Sequence, residues 1–161
     1  MNENSSFNYP VITVVTVVYN GVGTIEETIR SVIDQDYPNL EYIVVDGGST
    51  DGTIDIIKRY ASSITRWVSE KDRGIYDAMN KGIDMATGQL INFMNSGDRF
   101  ASRDVLQRSA SAWSNSDILY GDALIEFPTF KTKYKTHPLD QMWRRSPFCH
   151  QAAFARTSLM K

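Results

Sequence analysis

Residues 11–18 read Val11, Ile12, Thr13, Val14, Val15, Thr16, Val17 and Val18, a run rich in β-branched side chains and almost continuously apolar. A strand with one wet face alternates apolar and polar residues, whereas a parallel strand covered on both faces does not. The run therefore predicts a buried parallel strand, and with it a sheet that carries helices on both faces. The residues that follow keep to this plan. Thr24 with Glu27 three places on forms a capping-box start, Ile25, Ile29, Val32 and Ile33 recur at helical spacing, and Tyr37-Pro38 ends the run. Residues 42–45 read as a second buried strand, and a Gly-rich turn over 46–52 leads into a helix marked by Ile54, Ile57 and Ala61. Residues 66–69 form a short third strand. Residues 74–86 carry Ile75, Met79 and Ile83 on one helical face, with Thr87-Gly88 as the stop, and residues 90–94 form a fourth strand. Ser102 is placed to cap a helix through Val105, Leu106, Ser109 and Trp113. Residues 118–127 and 130–136 read as two strands joined around Pro128, and from Pro138 onward the pattern is irregular. Alternating strands and helices predict an α/β, mainly parallel, doubly wound sheet.

With 161 residues, 42% hydrophobic and 22% charged, the chain suits one compact domain with a sizeable core. A net charge of -2 argues against nucleic acid as a partner. The longest apolar run, residues 11–19, is too short to span a bilayer and is broken by Thr13 and Thr16. Residues 1–10 are polar, lack a signal-peptide pattern and are expected to be flexible. One cysteine, Cys149, has no internal disulfide partner, which fits a reducing cytoplasm.

In a parallel sheet the strand ends open along one edge, and ligands bind there. The residues directly after each strand are Tyr19-Asn20, then Asp46, then Lys71-Asp72-Arg73, then Asn95-Ser96-Gly97-Asp98. Polar residues at a strand end serve as turn formers as well, so pattern alone leaves both readings open. The loop Asp46-Gly47-Gly48-Ser49-Thr50-Asp51-Gly52-Thr53 lacks the G-x-G-x-x-G spacing of a dinucleotide fold and opens with a carboxylate where a pyrophosphate would approach. A carboxylate accepts only, so Asp46 suits a ligand offering N–H donors, such as uracil or guanine, with Tyr19 stacking on the base. Asp51 is read as the cap of the following helix. Asp98, delivered by an apolar strand, suits a hard divalent cation whose shell phosphates and water complete; composition by itself is equally compatible with a turn aspartate before the Ser102 helix.

Thr16-Val17-Val18-Tyr19-Asn20, Val45 with the Asp46–Thr53 loop, Asp72-Arg73-Gly74-Ile75-Tyr76-Asp77-Ala78-Met79-Asn80 and Asn95-Ser96-Gly97-Asp98 occur in this order. Together they resemble the family 2 glycosyltransferases of the GT-A fold, and within them the bacterial members that assemble surface polysaccharide (colanic-acid-type transferases). The resemblance covers the chain from about Val11 to Lys161. It implies a Rossmann-like nucleotide-binding half, with Val17, Tyr19 and Asp46 against the base and Arg73 near the ribose or diphosphate. It matches Asp98 to the last acidic position of the family's Asp-x-Asp metal motif, which would hold Mn2+ or Mg2+. Asn95 and Gly97 stand where many members have acids, so metal binding would rest on Asp98 and the substrate phosphates. His150-Gln151 matches a His-Gln pair of the subgroup, near the diphosphate or acceptor; on physics alone, a histidine such as His150 is more often a satisfied structural residue than a catalytic one.

The chemistry so implied is inverting transfer of a sugar from a nucleoside diphosphate, uridine first and guanosine second, to a saccharide or lipid-linked saccharide acceptor. In the resembled family the general base follows the His-Gln region, so a chain ending at Lys161 is expected to be truncated and to bind donor better than it transfers. Asp122, after Tyr120-Gly121, reads as a donor-side or structural residue. A nucleotidyltransferase is disfavoured because no basic residue precedes Arg30 in the first turn and helix. A non-catalytic nucleotide-sugar-binding module is the alternative. Met142-Trp143-Arg144-Arg145 offers at most a peripheral membrane contact.

Overall fold

A computed structural model describes residues 9–138, 140, 144 and 146–161. Residues 1–8 of the polar N-terminal stretch lie outside the described residues, as do Met142, Trp143 and Arg145, on which the membrane-contact reading rests. The elements are β1 (Ile12–Val18), α1 (Ile25–Ile33), β2 (Leu40–Asp46), α2 (Thr53–Arg59), β3 (Arg66–Ser69), α3 (Ile75–Met85), β4 (Leu90–Phe93), α4 (Val105–Ala112), β5 (Ile118–Tyr120), β6 (Ala123–Glu126), β7 (Lys131–Tyr134) and β8 (Ala153–Arg156). The main sheet has the order β3-β2-β1-β4-β8-β5, with β1 to β4 parallel and β8 antiparallel to both its neighbours.

Every residue of β1 is buried, as a strand covered on both faces requires. Its side chains divide by the period of two. Ile12, Val14 and Val18 join Tyr42, Val44, Ile25, Ile29, Ile57 and Leu106 in one core, whereas Val15 and Val17 join Ile43, Val45, Ala78 and Ile83 in the other. Helices α1, α2 and α4 thus cover one face and α3 the other. Helix α3 approaches closely because residue 82 is glycine; a Cβ there would overlap the Val15 side chain.

Several local expectations are corrected. Thr24 precedes α1 without a side-chain cap, because its hydroxyl bonds Gly21 O (3.3 Å) and Ser96 Oγ (2.9 Å). Asp104, not Ser102, precedes α4. The expected strand over 118–127 divides at Gly121-Asp122: β5 joins the main sheet while β6 pairs with β7 in a separate antiparallel hairpin. The irregular tail contains β8, inserted between β4 and β5. No helix among the described residues is long and apolar enough to cross a membrane.

At the end of the sheet where β1 and β2 begin, Glu41 is buried and acts as a shared acceptor. It receives Thr13 Oγ1 (2.6 Å), Thr87 N (2.7 Å), Thr87 Oγ1 (2.8 Å) and Gly88 N (3.3 Å), tying two strands to the turn between α3 and β4. Burial pushes its carboxyl up, but the hydrogen bonds from Thr13, Thr87 and Gly88 outweigh that and hold it below its ordinary value. A carboxyl depressed in the folded state adds stability above its unfolded pKa and loses it as pH falls through the folded one. Glu41→Gln is therefore expected to lose about 1–3 kcal/mol at pH 7. In urea unfolding, the gap from wild type should narrow as pH drops below about 4.5; a gap independent of pH would contradict the assignment.

Candidate functional site

Strands β2 and β3 lie to one side of β1 and β4 to the other. The chain therefore reverses its direction of winding at β1, and the crevice beyond the strand ends there is where α/β sheets bind ligands. The two neighbouring loops are fastened to the end of β1. Gly47 N donates to Val18 O (2.9 Å) and Ser96 N to Val17 O (3.1 Å). Asn20, in the left-handed region at φ 47°, donates its N–H to Ser49 Oγ (2.7 Å) and accepts Thr50 N on Oδ1 (2.9 Å); asparagine is among the residues that tolerate this region. Gly21 N reaches Thr53 Oγ1 (2.9 Å). Asp51 accepts Thr53 N at the start of α2 (3.0 Å) and Val22 N from the first loop (3.0 Å). Gly52, not Asp51, occupies the N-cap of α2, and Asp51 serves from one residue earlier, with a cross-loop tie added; the Thr53 hydroxyl and these N–H donors keep its carboxyl below the ordinary range against the opposing effect of desolvation.

Asp46 ends β2, as the strand pattern requires. It is fully buried, and its carboxylate accepts Gly48 N (3.1 Å), Ser49 N (2.9 Å), Ser69 Oγ (2.6 Å) and the Ser49 hydroxyl. These are protein donors from its own loop and from β3, so both carboxylate oxygens are hydrogen-bonded within the fold. The burial of a charge is compensated by charge-assisted hydrogen bonds, and the result is a rigid loop. Ser49 and Ser69, which the sequence reading passed over, are legible only afterwards as hydroxyls placed to satisfy a buried aspartate.

Beyond β4, Asn95-Ser96-Gly97-Asp98 makes a turn in which Asp98 N donates to Asn95 O (2.9 Å) and Gly97 takes φ 100°. Glycine suits that left-handed position. Thr28 of α1 clasps the turn, donating its hydroxyl to Asp98 O (2.8 Å) and accepting Gly97 N (3.0 Å). The tail returns to the same place: Gln151 Nε2 donates to Asp98 Oδ2 (3.0 Å), and His150 Nε2 lies 3.5 Å from Asn95 Nδ2. Asn92 of β4 seats this return by donating Nδ2 to Gln151 O (3.0 Å) and Ala153 O (2.9 Å). Asp98, His150 and Gln151, remote in sequence, thus form one cluster with Asn95. Asn95 Oδ1 is buried there without a hydrogen-bond partner, an acceptor left open within the cluster.

The remaining candidates divide. Tyr19 is 66% exposed, directly after the end of β1. Val17 is buried within the second core and contributes its carbonyl to the Ser96 tie. Arg73 is 91% exposed in its side chain and pairs with Asp77 (3.0 Å), one helical turn along. The Arg73 hydrogen bond is the main cause holding the Asp77 carboxyl below its ordinary value. Asp122 binds Lys133 Nζ (2.7 Å) and Thr136 N (2.9 Å) and so braces the hairpin.

Comparisons with known proteins agree with this architecture. A PGL/p-HBAD biosynthesis glycosyltransferase of Mycobacterium bovis (strain BCG / Pasteur 1173P2) is 31% identical over 156 residues, covering 93% of this chain and 60% of the relative. The putative teichuronic acid biosynthesis glycosyltransferase TuaG of Bacillus subtilis (strain 168) is 37% identical over 102 residues, 62% of this chain and 40% of that protein. The chain thus spans less than two thirds of the length of these relatives. Among solved structures, the mannosyltransferase PcManGT from Pyrobaculum calidifontis in complex with GDP-Man and Mn2+ superimposes with a TM-score of 0.72 at 24% identity, covering 96% of this chain and 46% of that one. S. aureus TarS 1-349 in complex with UDP gives 0.73 at 23% identity, covering 92% and 47%. These two likenesses establish the GT-A type of fold. Residues 13–157 match the family described as Glycosyl transferase family 2, and the chain belongs to that family.

Proposed function

We propose that this chain is the donor-binding part of an inverting, metal-dependent glycosyltransferase. It takes a sugar from a uridine diphosphate donor to a hydroxyl of a saccharide or lipid-linked saccharide acceptor in cell-surface polysaccharide synthesis. It works in the cytoplasm, with at most peripheral membrane contact. The observation that carries the reading is the meeting of Asn95, Asp98, His150 and Gln151 beside the crevice at the end of β1. The ligands named for the solved neighbours, GDP-Man with Mn2+ in one and UDP in another, support it.

The residues present suit a divalent cation. The half-buried Asp98 carboxylate and the partnerless Asn95 Oδ1 are hard oxygen donors, as Mn2+ or Mg2+ requires. Among the described residues no three of His, Cys, Asp and Glu are grouped to hold a metal by themselves, so donor phosphates and water would complete the shell. A bound cation would neutralise negative charge gathering on the leaving diphosphate. Gln151 orients the Asp98 carboxylate, and the exposed Tyr19 ring offers a face for the base. Arg73 is tied by an exposed pair with Asp77, and exposed ion pairs contribute little, so a diphosphate would recruit it at little cost. Asp46 acts from below by setting the shape of the loop on which the base rests.

Titration calorimetry with UDP is expected to show binding that strengthens on adding Mn2+, and Asp98→Ala should abolish the metal-dependent part. Absence of UDP binding with and without Mn2+ would refute the proposal. Asp46→Ala strips the loop of its common acceptor and should cost about 2–4 kcal/mol of stability in denaturant unfolding. Weaker UDP binding should follow; a variant of unchanged stability and affinity would remove Asp46 from this role.

A further inference from the structure

With both Asp46 oxygens hydrogen-bonded within the fold, the base needs another acceptor, and the structure holds one immediately above the same loop. Gly47 is the residue after Asp46, and its N–H is bonded to Val18 O, so it lies at the rim beside the start of the Tyr19 loop. A Cβ built on Gly47 would stand 2.5 Å from Asp72 Oδ2, 3.1 Å from its Cγ and 3.3 Å from its Oδ1. The space that a side chain at residue 47 would fill is therefore taken by the carboxylate of Asp72, reaching across from the loop after β3. Gly47 is absent from the positive-φ residues, so what glycine supplies here is the space of its missing side chain, which the Asp72 carboxylate occupies. The crossing is held in place. Glu70 N donates to Asp46 O (3.0 Å), which fixes the stem of the Asp72 loop to the end of β2. Asp72 Oδ1 accepts Gly74 N (2.9 Å), which fixes the carboxylate itself. Asp72 Oδ2 accepts no hydrogen bond among the described residues.

From this juxtaposition we infer that Asp72 is the residue that selects the base, accepting the N3–H of uracil on its unbonded oxygen. This rests on the donor-binding reading above and adds the specificity determinant to it. One oxygen anchored to Gly74 and the other open suit the single N–H of uracil better than the paired N1–H and N2–H2 donors of guanine. Cytosine and adenine present a bare ring nitrogen at the corresponding edge, which a carboxylate repels. Gly47 and Asp72 function as a pair, the first giving up its side-chain volume to the second.

The test uses the whole chain with Mn2+ and compares UDP with 3-methyluridine 5′-diphosphate, in which a methyl group replaces the N3 proton. Wild type should bind UDP about 10- to 100-fold more tightly than the methylated analogue, the range for a hydrogen bond to a charged acceptor. Asp72→Ala should bind the two nucleotides equally and near the weaker value. Gly47→Ala, with its added methyl displacing the Asp72 carboxylate, should lose most of the preference while melting as wild type does. Asp72→Asn, of unchanged shape, should gain CDP relative to UDP because its amide can donate to cytosine N3. Equal binding of the two nucleotides by wild type, or an undiminished preference for UDP in the Asp72 variants, would overturn the inference and leave donor binding standing. Failure of wild type to bind UDP at all would overturn both.

Discussion

The site depends on how β1 ends. Successive carbonyls in a strand point to opposite sides within the sheet, so two adjacent residues can address two neighbouring strands. Val18 O receives Gly47 N from the loop after β2, and Val17 O receives Ser96 N from the turn after β4. Both loops therefore begin from adjacent atoms of one fully buried strand, which is gripped by β2 along its whole length and by β4 over its first half. A loop hung from an exposed edge strand would have more freedom. Here the rigidity of the core is carried to the rim in a single hydrogen bond on each side.

The rim is then braced by small polar side chains instead of salt bridges. Asp46 collects two backbone N–H groups and two hydroxyls, Asn20 is bonded in both directions to the same loop, and Thr28 spans the Asn95–Asp98 turn. Short side chains lose little conformational entropy when ordered, and their hydrogen bonds are directional. Long charged side chains stay outside this network: Arg73 and Lys81 pair with Asp77, and Lys81 also with Glu70, on the surface of α3. The arrangement places short hydrogen-bonding side chains beneath the rim and long charged ones at its exposed margin.

Periodicity made the parallel half of the fold legible. β1 and β2 read as buried runs, and α1 and α3 as amphipathic helices, because each covers enough residues for its period to show. The antiparallel half was hidden. β8 is four residues, Ala153–Arg156, with only Phe154 fully buried, too short to display alternation. β5 and β6 are contiguous apart from Gly121-Asp122 and read as one strand, yet they belong to different sheets. Thr24 and Ser102 carried good capping chemistry, but the Thr24 hydroxyl bonds Ser96 from a distant loop and the Ser102 hydroxyl bonds the carboxylate of Asp104 two residues on.

The amino-acid order alone determined that a strand buried on both faces lies near the N-terminus, that helices alternate with parallel strands after it, and that polar residues gather at the strand ends. Those follow from local pattern, since burial and helical phase are written into spacing. Which carboxylates face outward was decided only by the tertiary structure. Asp46 ends β2 and Asp72 lies in the loop after β3, but one is enclosed by Ser49, Ser69 and its own loop while the other lies over Gly47 with an oxygen unbonded. The return of His150 and Gln151 to Asp98 belongs to the same class of fact. Contacts between residues distant along the chain depend on the path of the backbone between them, and no local pattern encodes that path.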